Sequence, residues 1–145
     1  MIFNKGIKKL KCKLCWFRCG TDRTRTTGRC GIDSAIHVAH YGLHTGEEPY
    51  LTGAGGSGTI FFAGCTLRCT FCQNHQISRW TLKDKCTGTI VLSTEKLEDV
   101  FFELKTLGAA NINFVSPTPY VHCIIEAVGI SRSRGFNHPF VYNTH

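Results

Sequence analysis

The sequence contains no apolar run approaching the ~20 residues a membrane-spanning helix needs, so no transmembrane helix is expected. No secretory leader is expected either. Met1 opens a basic, cysteine-bearing segment without the apolar h-region that such leaders carry. No Gly-Lys-Ser or Gly-Lys-Thr closes its glycine-rich run, which removes the P-loop reading. Acidic side chains are scarce: 10 Asp and Glu stand against 17 Lys and Arg, for a formal net charge of +7. The excess is uneven, since Lys5, Lys8, Lys9, Lys11, Lys13, Arg18, Arg23, Arg25 and Arg29 all precede residue 30. A basic front end can meet nucleic acid or an acidic partner, or it can solvate a small cysteine-bound module and offset thiolate charge. We favour the second, and expect a soluble, cytoplasmic chain with neither a membrane nor a nucleic acid as partner.

A length of 145 residues is one domain's worth, with enough apolar content for a core. Nine cysteines, an odd number, fit metal ligation better than a disulfide framework. Seven fall in two groups, while Cys86 and Cys123 stand alone, and Cys86 is expected to be a free thiol. The first group to note is Cys65, Cys69 and Cys72, spaced C-x3-C-x2-C directly after the apolar run Thr59-Ile60-Phe61-Phe62-Ala63. That run reads as a buried strand. The cysteines then lie on a loop leaving its C-terminal end, where α/β folds place their chemistry. Three thiolates can hold three corners of a cubane iron–sulfur cluster and leave the fourth iron open to a ligand. The competing arrangement is a zinc knuckle that adds His75. Zinc, however, usually takes tighter C-x2-C pairs and four closed ligands.

The second group is Cys12, Cys15, Cys19 and Cys30, spaced C-x2-C-x3-C-x10-C. Four thiolates can close a zinc site or hold a second cluster, and spacing does not decide between them. Residues 20–28 between them are polar and coreless, as where a metal does the folding. The plainer alternative is four free thiols in a disordered tail. His37, His40 and His44 share a face only on a helix. Neighbouring β-branched residues and Gly42 favour a short strand running into a loop, so these histidines receive no role. Glu47 and Glu48 read as a solvated turn. Gly53 to Gly58 contains a G-x-G-x-x-G string but precedes its strand, so it is a flexible lead-in that allows close backbone approach, not a phosphate cradle.

Residues 73–88 are polar and expected to be irregular. Ser93 caps a helix whose stripe is Leu97, Val100, Phe101, Leu104 and Leu107, ended by Gly108. Ile112 to Val115 reads as a strand, followed by a helix with Val121, Ile124, Ile125 and Val128 on one face. Pro139 to Tyr142 reads as a third strand. The β-α-β-α-β order predicts a parallel sheet with right-handed crossovers.

The Cys65–Cys69–Cys72 stretch, with Phe71 before the last cysteine, resembles the CxxxCxΦC signature of radical S-adenosylmethionine enzymes. The similarity is strongest to the branch that includes pyruvate formate-lyase activating enzymes. It runs through the N-terminal cysteines, Gly46-Glu47-Glu48-Pro49, Gly56 to Phe62, Cys65 to Asn74, Asn111 to Thr118 and Val141 to Thr144. The resemblance implies a [4Fe-4S] cluster on Cys65, Cys69 and Cys72, with S-adenosylmethionine on the open iron. Phe71 would pack beside the adenine. The cluster would cleave S-adenosylmethionine to a 5′-deoxyadenosyl radical, and a glycyl radical protein is the implied substrate partner. Where many members carry Gly-Gly-Glu, this chain has Ser116-Pro117-Thr118, so backbone carbonyls or Thr118 would contact the cofactor amine. The implied fold is α/β: the N-terminal half of a partial (β/α)6 barrel over residues 51–145, with three β/α units, behind a cysteine-rich extension over residues 1–50. On that reading the chain is a fragment, inactive or completed by a second chain. A zinc-bound nucleic-acid or protein adaptor is the alternative function.

Overall fold

The structure, a computed structural model, describes residues 11–79, 81 and 88–144. Its elements in chain order are β1 (Ile36–His44), α1 (Pro49–Thr52), β2 (Ser57–Phe62), α2 (His75–Ser78), β3 (Ile90–Leu92), α3 (Thr94–Thr106), β4 (Ile112–Val115), a 3-10 turn (Thr118–Tyr120), α4 (Val121–Ser133) and β5 (Phe140–Asn143). The strands form one sheet in the order β3-β1-β2-β4-β5. β2, β4 and β5 are parallel, with Ile60 opposite Phe114 and Phe114 opposite Tyr142. β1 runs antiparallel to β2 and to β3.

This overturns the expected half of a (β/α)6 barrel and the all-parallel sheet. The sheet is mixed and open, with β3 and β5 at its edges. A barrel grows by adding parallel strands in one direction. Here β1 pairs on the side of β2 away from β4, and β3 continues outward from it. Helix–strand alternation picks out β2, β4 and β5, but it carries no information about which way an earlier strand will pair.

The helices follow their local chemistry. Ser93 Oγ accepts the backbone N–H of Lys96 at 3.2 Å and opens α3, with Glu95 in the first turn. Leu97, Val100, Phe101 and Leu104 are buried as the spacing predicts. Leu107 is not: α3 ends before it, and as the cap residue it is 55% exposed. On α4 the buried positions are Ile124, Ala127 and Ser131, while Ile125 faces out. α3 and α4 share a core with the sheet, centred on Phe101, Phe114, Phe136 and Phe140. Their ring centroids lie 5.2 to 6.1 Å apart in the contacting pairs. Each such pair adds about 0.5–1.5 kcal/mol beyond its burial.

Cys30, Ile32, Ile36 and Val38 belong to that same core. The lead-in glycines do meet close backbone, since a Cβ on Gly55 would stand 1.9 Å from the carbonyl oxygen of Gly108. Between α4 and edge strand β5, an apolar groove of about 270 Å³ opens among Phe114, Ile124, Ile125, Val128 and Tyr142. Among the described residues no helix is long and apolar enough to cross a membrane.

Candidate functional site

β2 hands the chain to the Cys65–Cys72 loop at the C-terminal end of the parallel strands. The N–H of Ala63 still bonds the carbonyl of His37 at 2.9 Å, and Gly64 then turns the chain with φ +75°. The Gly64 N–H donates to the carbonyl of Ile77 in α2 at 2.8 Å, which folds the far end of the loop back onto its start. Arg68 also sits at positive φ, +53°. The Cys69 carbonyl accepts from the Cys72 N–H at 3.4 Å and from Arg79 Nη2 at 3.2 Å. Cys65 is buried, and Cys69 and Cys72 are half-buried. Phe71, the expected adenine neighbour, is 86% exposed. His75, the fourth ligand of the zinc alternative, starts α2. Cys86 lies outside the described residues.

The turns after β4 and β5 rise at the same end of the sheet. Ser116 takes φ +58°, and Thr118, the other expected cofactor contact, opens the 3-10 turn. Its Oγ1 lies 3.1 Å from that of Thr144, just beyond β5. The expected site residues, the three cysteines and Phe71 on one loop and Thr118 on another, therefore share the C-terminal edge of β2, β4 and β5.

The N-terminal cysteines form a separate turn. The Cys12 N–H bonds the Thr21 carbonyl at 2.9 Å, the Gly20 N–H returns to the Cys12 carbonyl at 3.0 Å, and the Arg18 N–H bonds the Cys15 carbonyl at 3.0 Å. The Cys19 thiol is held down to about 7, chiefly by the Thr21 hydroxyl and then by backbone N–H groups, with the Cys12 side chain also bonded to it. A Cβ on Gly28 would stand 3.4 Å from Cys30 Sγ and 3.7 Å from Cys19 Sγ, so those sulfurs face each other across that glycine. Burial pushes the Cys30 thiol up. Cys19 thus has Cys12 on one side and Cys30 on the other, and Cys15 is half-buried on the same turn.

Among the described residues no three His, Cys, Asp or Glu side chains stand in a group that could hold a metal ion as placed. This applies to both cysteine sets. The donor chemistry still fits iron–sulfur ligation: thiolates alone, three within one short loop, and the first anchored at the end of a buried strand. Loading would have to draw the three sulfurs of that loop together.

The basic front end contains a residue that sequence reasoning misplaced. Arg23 is 7% exposed and bonds backbone carbonyls of Asp33 and Pro119. Nothing in its neighbourhood of charged and polar residues marks it out from Arg25 or Lys13. Tyr120 was likewise unmarked. It is 1% exposed, and its hydroxyl donates to the Ala63 carbonyl at 2.7 Å.

The chain matches no known family profile, and no solved structure is recognisably similar. It is 31% identical over 135 residues to an uncharacterized protein of Methanocaldococcus jannaschii, a stretch covering 92% of this chain. The same stretch is 38% of the archaeal protein, so the chain spans well under half of that relative's length.

Proposed function

We propose that the chain binds an iron–sulfur cluster through Cys65, Cys69 and Cys72 and takes S-adenosylmethionine at the iron those thiolates leave open. The observation that carries this reading is the placement of three cysteines in one loop at the C-terminal end of β2, beside the turns that follow β4 and β5. When bound, the cluster would supply the single electron that cleaves the sulfonium. The chain's own residues would do the rest. The Gly64–Ile77 bond and α2 hold the loop's two ends together. Thr118 and the backbone around the left-handed Ser116 offer polar groups to the cofactor's amino-acid end. Phe71 is free to fold onto an adenine because nothing covers it.

The four N-terminal cysteines would hold a second metal, zinc or iron–sulfur, which locks a turn that has little core of its own. A protein substrate such as a glycyl radical enzyme, an electron donor of unknown identity, and a cytoplasmic setting complete the proposal. A nucleic-acid adaptor gains no support from Arg23, which is spent on internal carbonyls, nor from Arg29, whose guanidinium lies 4.0 Å from the Phe17 ring.

Metal analysis of anaerobically purified protein tests the reading. Brown protein with about four irons per chain in the loop site is expected for a cubane cluster. Colourless protein containing zinc alone would overturn it.

A further inference from the structure

One buried guanidinium ties the N-terminal cysteine segment to both loops of the cofactor face. Arg23 Nη1 donates to the Pro119 carbonyl at 2.6 Å, across 96 residues of sequence. Its Nε donates to the Asp33 carbonyl at 2.8 Å, and Nη2 bonds the same oxygen. Asp33 is itself fixed, because its Oδ1 accepts the Ala35 N–H at 2.9 Å and lies 2.9 Å from His37 Nε2 at the start of β1. The residue after Pro119 continues the chain of contacts. Tyr120 stacks on Phe62 with ring centroids 4.9 Å apart, and its hydroxyl bonds the Ala63 carbonyl, two residues before Cys65. The circuit closes at Gly64, where a Cβ would come within 2.7 Å of the Cys30 carbonyl oxygen.

The partners explain what Arg23 is for. A guanidinium placed to solvate a surface would point its donors at water, and one placed to neutralise charge would meet a carboxylate. Arg23 instead gives all three bonds to backbone carbonyls on two separate segments. Such bonds fix where the chain runs. They couple the height of the Pro117–Tyr120 turn to the segment carrying Cys12, Cys19 and Cys30, and through Tyr120 to the first residues of the cysteine loop.

We propose that Arg23 is a positioning residue for cofactor binding: it seats the turn carrying Thr118 against the Cys65–Cys72 loop, so that the N-terminal cysteine segment sets the shape of the face that takes S-adenosylmethionine. This rests on the function proposed above. The test uses the full chain reconstituted anaerobically with iron and sulfide, reduced by one electron with dithionite, titrated with S-adenosylmethionine and followed by electron paramagnetic resonance. Arg23→Gln is expected to keep wild-type iron content but raise half-saturation about tenfold or more, the scale of one lost charge-assisted hydrogen bond. Arg23→Lys, which keeps the charge with one point donor, should recover part of that loss. In iron-free protein, amide exchange at Gly64 and Tyr120 should be about tenfold faster in Arg23→Gln.

Unchanged half-saturation in iron-loaded Arg23→Gln overturns the positioning role and leaves the cofactor reading standing. Iron content and melting temperature that fall with half-saturation unmoved would show a structural residue and also overturn it. Should Arg23→Gln fail to fold, Tyr120→Phe cuts the same circuit without removing a charge, and a wild-type half-saturation there is equally fatal. A wild-type chain that loads iron without responding to S-adenosylmethionine refutes the cofactor reading itself, and unchanged amide exchange in Arg23→Gln would refute the linkage independently.

Discussion

Gly64→Ala offers a quantitative test of how the cysteine loop is seated. The new Cβ would stand 2.7 Å from both the Cys30 carbonyl oxygen and Ile32 Cγ2. The first is backbone, and the second belongs to a side chain with no exposed surface, so neither can swing away. Overpacking of this kind costs about 1–3 kcal/mol. The φ of +75° adds about 1–2 kcal/mol for an L side chain. The sum, about 2–5 kcal/mol, is a large share of the roughly 5–15 kcal/mol that holds a domain together. At about 2–4 °C per kcal/mol for a chain near this size, the melting temperature should fall by roughly 5–20 °C. Gly135→Ala is the control, because its φ is +81° but nothing lies within 4 Å of the added carbon. It should lose only the conformational part, about 1–2 kcal/mol. Urea unfolding of both variants measures the difference. If Gly64→Ala costs no more than Gly135→Ala, Cys30 does not press on the start of the loop, and the packing described here is wrong.

Other expectations follow from the same contacts. In chelator-treated protein, alkylation of Cys19 should rise with a midpoint at about pH 7, while Cys123, pushed up by burial, should react only at higher pH. Because the folded Cys19 value is the lower one, its stabilising contribution is present above the unfolded thiol's range and lost as pH falls through about 7. Thr21→Val removes the largest cause and should move the alkylation midpoint up. Arg134→Ala takes away the partner 2.6 Å from Glu98, whose side chain is 3% exposed. Stranding a buried carboxylate costs about 3–5 kcal/mol, read as a fall in urea midpoint, and a change under 1 kcal/mol would contradict the burial. Cys65→Ala or Cys72→Ala should abolish iron loading of the loop site, whereas Cys86→Ala should not.

Much of the scaffold was legible because short-range chemistry decides it. Ser93 and the Leu97–Leu104 stripe announce α3, and the apolar run before Cys65 announces β2. Ile112–Val115 is a strand with the expected bounds. Pairing direction was not legible. Nothing in Ile36–His44 says that β1 will lie antiparallel on the outer side of β2, and that one fact replaces a barrel with an open mixed sheet. β3 escaped notice because it is three residues long and largely exposed at Ile90 and Val91. The four-residue helices α1 and α2 are too short for a 3.6-residue period to register. Ile125 fits the apolar spacing of α4 yet borders the open groove beside β5. At the site, the cysteines declare themselves by type and spacing. Arg23 and Tyr120 do not, because their partners are carbonyls many residues away and a backbone oxygen leaves no trace in composition.

The most direct measurement is the iron and acid-labile sulfide content of anaerobically reconstituted wild type beside Cys69→Ala, with electron paramagnetic resonance of the dithionite-reduced protein before and after S-adenosylmethionine. About four irons are expected in the wild-type loop site, with their loss in Cys69→Ala and a wild-type signal that shifts on adding S-adenosylmethionine. Full iron content in Cys69→Ala would contradict that expectation.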